Sequence, residues 1–345
     1  MDIAGNSICS NPVRVLLAGF GRLGVSVMRS LIGSPHDINV VGAMPASNLS
    51  KYRFLKDHPS EIEILQLSSA NNVRTLTAPS INSDEFRAEL LDLAPDILLI
   101  ASWAEIIKQP TLSTGNHRVI NCHGSLLPKY RGACPQIATI FNGDKKTGIT
   151  FHLIDEGIDT GDILLQKELE VGPGETSIRL EERIASQFSE CVVDLLRGFQ
   201  NGSIAPKKQA GDASYVPKLS PSWSWIPWEA RPAEIDRRMR ALDGILPLAT
   251  SLGQLPLAFE KGSVVDSSKA LIKGNGINLF QIRDRLRPGT VLAVEPDKLF
   301  VCTQDSDSIV ELSTPALVQS GKSTPSIRPG EHFVSFARPS ILKSA

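Results

Sequence analysis

Residues 13–24 read V-R-V-L-L-A-G-F-G-R-L-G, an apolar run that closes on Gly19, Gly21 and Gly24. Behind it, Leu23, Val27 and Leu31 fall on one face of a helix over Leu23–Ile32. A chain that begins this way has few options. Glycines at this spacing let a buried strand turn sharply into a helix packed close against it, the first unit of a parallel sheet. The following segments keep the alternation: a strand at Ile38–Met44, a helix at Ser83–Leu93 with Asp84 and Glu85 in its first turn, and strands at Asp96–Ala101 and Val119–Cys122. Ile62–Leu67 and Val73–Leu76 read as weaker strands. Strand–helix alternation predicts an α/β domain, Rossmann-like, with a mainly parallel sheet.

The opening stretch is also a literal G-x-G-x-x-G, the spacing that cradles a dinucleotide pyrophosphate. Such a site needs an acidic residue about 20 positions on, at the end of the second strand, or an arginine in its place. That strand ends Val40-Val41-Gly42-Ala43-Met44-Pro45-Ala46, with neither. No NAD(P) is expected. The glycines read instead as a turn at the ligand edge of the sheet, shaping one side of the cleft near a phosphate.

Further on, Gln136–Asn142 reads as a helix, Gly148–Ile154 as a strand, and Gly174–Phe199 as one long amphipathic helix with Ile178, Ile184, Phe188, Val192 and Leu195 on its stripe. Asn201–Pro221 is rich in Gly, Ser, Lys and Pro and reads as a linker. Beyond it come a helix at Ala233–Leu242 and short strands at Leu255–Phe259, Gly289–Val294, Leu299–Thr303 and Ser308–Leu312, which predict a small β-barrel or sandwich. The expected division is a catalytic domain over 1–205, a linker over 206–222 and a barrel-like domain over 223–345. Residues 1–205 carry 18 Lys+Arg against 23 Asp+Glu, and residues 206–345 carry 18 against 14. The basic back half suits an anionic partner, although a plain solvated surface has the same composition.

The N-terminus lacks the basic and apolar regions of a secretory signal, and no stretch nears the roughly 18 apolar residues of a membrane span. Five scattered cysteines (Cys9, Cys122, Cys134, Cys191, Cys302), none in C-x-x-C spacing, read as free thiols in a reducing compartment. A cytoplasmic monomer with no membrane partner is expected.

Chemistry concentrates in Asn121-Cys-His-Gly-Ser-Leu-Leu-Pro-Lys-Tyr-Arg-Gly-Ala-Cys-Pro135 and in His152-Leu-Ile-Asp-Glu-Gly-Ile-Asp-Thr-Gly-Asp162. Asn121 and His123 sit two apart at a strand end and so share one face, where ligands of open α/β sheets bind. An amide donor, an imidazole and a carboxylate are parts for moving an acyl group to an amine. Asn121 suits the developing oxyanion, His123 the proton lost by the amine, and Asp159 the orientation of His123. Each residue alone also has a plain structural reading: a turn cap, a satisfied histidine, an aspartate in a β-turn.

N-x-H-G-S-L-L-P-K-Y-R-G-x-x-P, then T-G-I-T, then D-E-G-I-D-T-G-D-I resembles the signature of the 10-formyltetrahydrofolate-dependent formyltransferases. The register is good from about Asp96 to Gln166. The resemblance implies catalytic Asn121, His123 and Asp159, and folate-contacting Ser125, Leu126, Leu127 and Pro128. It implies 10-formyltetrahydrofolate as co-substrate, no metal, and an OB-like barrel as the C-terminal domain, which Ala213-Ser-Tyr-Val-Pro-Lys-Leu, Trp228, Arg240-Ala241 and Pro288-Gly-Thr-Val-Leu resemble at its entry. It leaves two acceptors, initiator methionyl-tRNA or a small amine such as a nucleotide-linked amino sugar, and a deformylase would use the same trio. The family's basic loop after the second strand falls on Pro45–Ser60, where Lys51, Arg53 and Lys56 stand with Asp57. Its N-P-W-P falls on Asp243-Gly-Ile-Leu-Pro247.

Overall fold

A computed structural model of the chain describes residues 11–48, 58–268, 285–317, 326–334 and 343–344. In chain order the first elements are β1 (Val13–Gly19), α1 (Gly21–Ile32), β2 (Ile38–Met44), α2 (Pro59–Ala70), β3 (Arg74–Thr75), α3 (Asp84–Leu93), β4 (Ile97–Ala101), α4 (Gln109–Leu112) and β5 (Arg118–His123). Then come β6 (Arg131–Gly132), α5 (Pro135–Asn142), β7 (Lys146–Leu153), β8 (Ile163–Glu170) and α6 (Ser177–Gln200). A seven-stranded sheet runs β3-β2-β1-β4-β5-β7-β8, parallel from β3 through β5 and antiparallel between β5 and β7. The sequence-based expectation of a mainly parallel α/β sheet agrees.

The buried runs explain the order. Val15–Ala18 and the whole of β4 are buried on both faces, as parallel strands roofed by helices must be. Strand order reverses between β1 and β4, and there the chain approaches itself closely. A Cβ on Gly19 would lie 2.7 Å from the Ala101 carbonyl oxygen, and one on Gly24 would lie 2.9 Å from the Gly19 carbonyl carbon. Gly19 and Gly24 therefore serve helix-on-sheet packing at the switch point. Gly21, at φ +67, makes the turn between them.

Ile62–Leu67 is a correction. It belongs to α2, where Pro59 sits in the first turn, the His58 side chain accepts from the Ser60 N–H, and Glu61 is the first-turn acid. Its apolar residues alternate only by accident, because Ile64 is buried while Ile62 and Leu65 are exposed. α3 starts where its signals lie: the Ser83 hydroxyl accepts from the Phe86 N–H at 3.1 Å. Ser83→Ala is expected to cost about 1 kcal/mol of stability, read as a lower urea midpoint. An unchanged midpoint would remove the cap's role. β8 went unseen because Q-K-E-L-E offers no apolar alternation; Leu164 is its only buried residue, so it lies at the sheet edge.

Compactness divides the chain into two interleaved units. One comprises residues 1–131, 148–169 and 181–213. Its core includes Leu16, Ala18, Met44, Phe86, Leu98 and Ile100, and α6 adds Phe188 edge-on to Phe151, ring centroids 4.8 Å apart. The other comprises residues 132–147, 170–180 and 214–345. It holds β9 (Ser214–Val216), α7 (Pro232–Leu242), β10 (Leu248–Leu252), β11 (Leu255–Phe259), β12 (Gly262–Asp266), β13 (Val291–Val294), β14 (Lys298–Cys302), β15 (Ser308–Ser313), β16 (Ala316–Leu317), β17 (Phe333–Val334) and β18 (Lys343–Ser344). Two antiparallel four-stranded sheets, β16-β11-β10-β17 and β12-β15-β14-β13, share one core. Leu248, Leu257 and Phe259 come from the first sheet, Leu299, Val301, Val310 and Leu312 from the second. Trp228 fills the centre: it stacks on Phe333 and donates its Nε1–H to Thr250 Oγ1 at 2.9 Å. The expected strands over 255–312 are present, and β10 and β12 join them.

Lys51, Arg53, Lys56 and Asp57 of the expected acceptor loop lie outside the described residues, as does Cys9. Among the described residues no helix is long and apolar enough to cross a membrane.

Candidate active site

β5 ends the parallel part of the sheet, and Asn121 and His123 leave it at the C-terminal edge, where βα loops gather. The antiparallel pairing of β7 sets His152 directly across from Asn121. The loop after β7 returns Asp159 to the same place. Asn121 Nδ2 lies 3.2 Å from Asp159 Oδ1 and 3.1 Å from His152 Nε2, and His123 Nδ1 lies 3.5 Å from Asp159 Oδ2. The three residues singled out in the sequence thus meet at the Asp159 carboxylate.

His152 Nδ1 donates to the Leu153 carbonyl at 2.8 Å, so in the neutral ring Nε2, which also lies 3.4 Å from Asp159 Oδ1, has a lone pair for the Asn121 amide. Both N–H groups of Asn121 Nδ2 are then engaged, so the amide is fixed with its nitrogen toward Asp159. His123 Nε2 donates to the Tyr130 carbonyl at 2.8 Å, and a carbonyl only accepts. The basic atom of neutral His123 is therefore Nδ1, which faces the carboxylate. His123 and His152 are both almost wholly buried, and their rings meet edge to face at 6.3 Å. Burial holds His123 below the usual imidazole range; the Asp159 charge and the Tyr130 bond oppose this, and His152 adds to it. Neutral His123 is the form at neutral pH. Burial also pushes the Cys122 thiol far up, leaving it an inert core residue.

The loop carrying Asp159 is built rather than loose. Asp155 Oδ1 accepts from the Gly157 N–H at 3.0 Å and from the Thr160 hydroxyl, and the Leu153 N–H reaches the Asp162 carbonyl at 2.9 Å. A Cβ on Gly161 would overlap the Leu153 carbonyl. Asp159 itself takes φ +51, the left-handed region that few aspartates occupy.

Ser125–Pro128 follow β5 directly. Thr150 Oγ1 donates to the Ser125 carbonyl at 2.6 Å, Gln166 Nε2 donates to the Leu127 carbonyl at 2.8 Å, and the Ser125 hydroxyl donates to the Lys129 carbonyl. Ser125, Leu127 and Pro128 are buried, so Leu126, half-buried against Gly148, is the one of the four that presents side-chain surface. Ile158, next to Asp159, is 48% exposed. The Trp103 indole N–H beyond β4 is buried without a partner, on the apolar cluster that also receives Ile154. Among the described residues no group of three or more His, Cys, Asp or Glu could hold a metal. An amide donor, a neutral imidazole and a carboxylate on a rigid edge suit acyl transfer between an amide and an amine.

The sequence reading gave no role to His152, whose place opposite Asn121 depends on strand register, or to Gln209, which reaches the Asp159 loop from beyond α6.

The family described as formyl transferase matches residues 14–196, more than half of the chain. A methionyl-tRNA formyltransferase of Corynebacterium aurimucosum is 33% identical over 262 residues, 74% of this chain and 78% of its own length. One from Aromatoleum aromaticum is 28% identical over 306 residues, 88% of this chain and 90% of its own. Among solved structures, an N-formyltransferase from Helicobacter canadensis in complex with folinic acid and dTDP-3-aminofucose has a TM-score of 0.63 at 19% identity, covering 88% of this chain and 100% of that one. At that identity the likeness is one of fold. With the Asn–His–Asp cluster at the end of β5 and this match over its length, the chain belongs to the formyl transferase family and is a formyl-transferring enzyme.

Proposed function

We propose that the enzyme transfers the formyl group of 10-formyltetrahydrofolate to the amino group of methionyl-tRNA, with Asn121, His123 and Asp159 as its catalytic residues. The observation that carries the reading is the convergence of Asn121 and His123 on Asp159 in a chain of this family. The co-substrate fits the surroundings. Exposed Ile158 and half-buried Leu126 offer apolar surface to a flat heteroaromatic group.

In this mechanism the acceptor amine attacks the formyl carbon, and the carbonyl electron pair moves onto oxygen. Asn121 Nδ2 shares the N–H that faces Asp159 Oδ1 with that oxyanion, while the contact with His152 keeps the amide in place. His123 Nδ1 takes the proton released by the amine, and Asp159 stabilises the imidazolium. The intermediate collapses by breaking the bond to N10, which receives the proton. The products are the N-formyl acceptor and tetrahydrofolate.

The acceptor assignment draws on the 33% identical relative, whose printed name is methionyl-tRNA formyltransferase, and on the net charge of about +4 over residues 206–345. We assign catalysis to residues 1–205 and acceptor recognition to an OB-like barrel within 223–345. The two antiparallel sheets with one shared core support that closure. A tRNA acceptor places the enzyme in the cytoplasm.

Incubation with 10-formyltetrahydrofolate and charged initiator tRNA is expected to give N-formylmethionyl-tRNA, with acceptor affinity falling steeply as salt rises because phosphate contacts release counterions. Turnover with a nucleotide-linked amino sugar, at an affinity indifferent to salt, would move the assignment to the small amine. Formate released without any acceptor would make the enzyme a hydrolase.

A further inference from the structure

Residues 206–213 fall in the same compact unit as Asn121, His123 and Asp159. They run back along the start of β8. Ile163 N–H meets the Lys207 carbonyl at 2.7 Å, Lys207 N–H meets the Ile163 carbonyl at 2.8 Å, and Lys208 Nζ lies 2.9 Å from Asp162 Oδ1. Lys207, Lys208 and Ala210 are exposed, whereas Gln209 turns inward.

There its amide is fully used. Gln209 Nε2 donates to the Asp159 carbonyl and to the Gly161 carbonyl, both at 2.8 Å. Gln209 Oε1 accepts from Arg131 Nη2 at 2.7 Å and from Arg131 Nε at 3.2 Å. Two N–H groups and two lone pairs exhaust what a glutamine amide can do. The carbonyls it holds begin at the strained point of the loop and follow it, because Asp159 sits at φ +51. Left to itself an aspartate prefers the extended or right-handed regions, and either would swing its carboxylate away from Asn121 and His123. The loop's own bonds, from Gly157 and Thr160 to Asp155, secure its first half. The bonds from Gln209 secure the second.

We infer that Gln209 is a positioning residue for Asp159, with Arg131 bracing it from behind, so that the catalytic carboxylate is aimed by a side chain 50 residues further along the chain. This rests on the role given to Asp159 in the proposed function. Gln209 acts through backbone carbonyls only, so its effect must vanish when Asp159 no longer carries a charge to aim.

The test is a double-mutant cycle on the full chain. Formyl transfer is measured for Gln209→Ala and Gln209→Glu, alone and combined with Asp159→Asn, using the acceptor that the wild type turns over. Glutamate keeps the side-chain length and the pairing with Arg131 but sets a carboxylate against two carbonyl oxygens. Should the alanine variant fail to fold, the glutamate variant carries the test. Each single Gln209 variant is expected to lower kcat roughly 100-fold, the scale of a small misplacement of a reacting group, with the KM for the folate within about twofold. On an Asp159→Asn background neither is expected to lower kcat further. A Gln209→Glu enzyme turning over at the wild-type rate overturns the inference. So does an undiminished further loss on top of Asp159→Asn. Wild-type turnover by Asp159→Asn alone overturns the functional reading instead, and the two failures are told apart by that one variant.

Discussion

Asn121→Ala is expected to lower kcat/KM for formyl transfer by about 100- to 1,000-fold, the loss of one oxyanion donor, or roughly 3–4 kcal/mol of transition-state stabilisation. The reason lies in where its two N–H groups point. One is tied to His152 Nε2 and holds the amide plane; the other faces Asp159 Oδ1 at 3.2 Å and is the one a developing negative charge beside the carboxylate can share. The ground-state carbonyl carries less charge than the oxyanion, so the loss falls on kcat, with binding of the folate little changed. Rapid-quench measurement of formyl incorporation separates the two. A variant keeping more than about a tenth of the wild-type kcat would remove Asn121 from the role of oxyanion donor. A fall in folate affinity alone would make it a binding residue.

His123→Ala is expected to lower kcat by about 100- to 10,000-fold, the usual range for removal of a general base. In the proposed mechanism the proton goes to Nδ1, because Nε2 is bonded to the Tyr130 carbonyl and Nδ1 is the remaining ring nitrogen, facing the Asp159 carboxylate. The pH dependence follows from burial, which holds the folded-state His123 below its ordinary value near 6.5. Activity that needs the neutral imidazole should therefore stay level through pH 7, its acid limb falling below 6.5. Stability moves in the same direction. The unfolded chain takes up a proton near pH 6.5 and the folded one only at lower pH, so stability is complete above 6.5 and declines as pH falls toward the folded value. His117, also lowered by burial, adds to that decline. An acid limb above pH 6.5 would mean that the Asp159 charge outweighs burial and that His123 rests as the imidazolium.

Much of this protein was legible from local pattern. Buried strands over 15–19 and 97–101 announce themselves as unbroken apolar runs because both faces are covered. The caps of α3 and the stripe of α6 are equally local, set by one serine and a 3.6-residue period. Where burial is one-sided or slight the pattern fades. β8 carries Gln, Lys and Glu because it lies at a sheet edge, and α2 looked like a strand because its isoleucines and leucines answer to few neighbours.

The sequence by itself singled out the side chains that meet at the candidate site: Asn121 and His123, two apart on one strand, and Asp159 in a glycine-rich loop. Only the tertiary structure decided how they are arranged. The register of β5 against β7 puts His152 across from Asn121, the Tyr130 carbonyl takes up His123 Nε2, and Gln209 reaches the carbonyls of Asp159 and Gly161. The opening glycines changed meaning in the same way. Their spacing fits a pyrophosphate cradle, but Gly19 and Gly24 are needed where β1, α1 and Ala101 come too close for a side chain. Residue types and short spacings are properties of the chain alone. A tautomer, an aimed carboxylate and a close approach depend on partners that folding brings from tens of residues away.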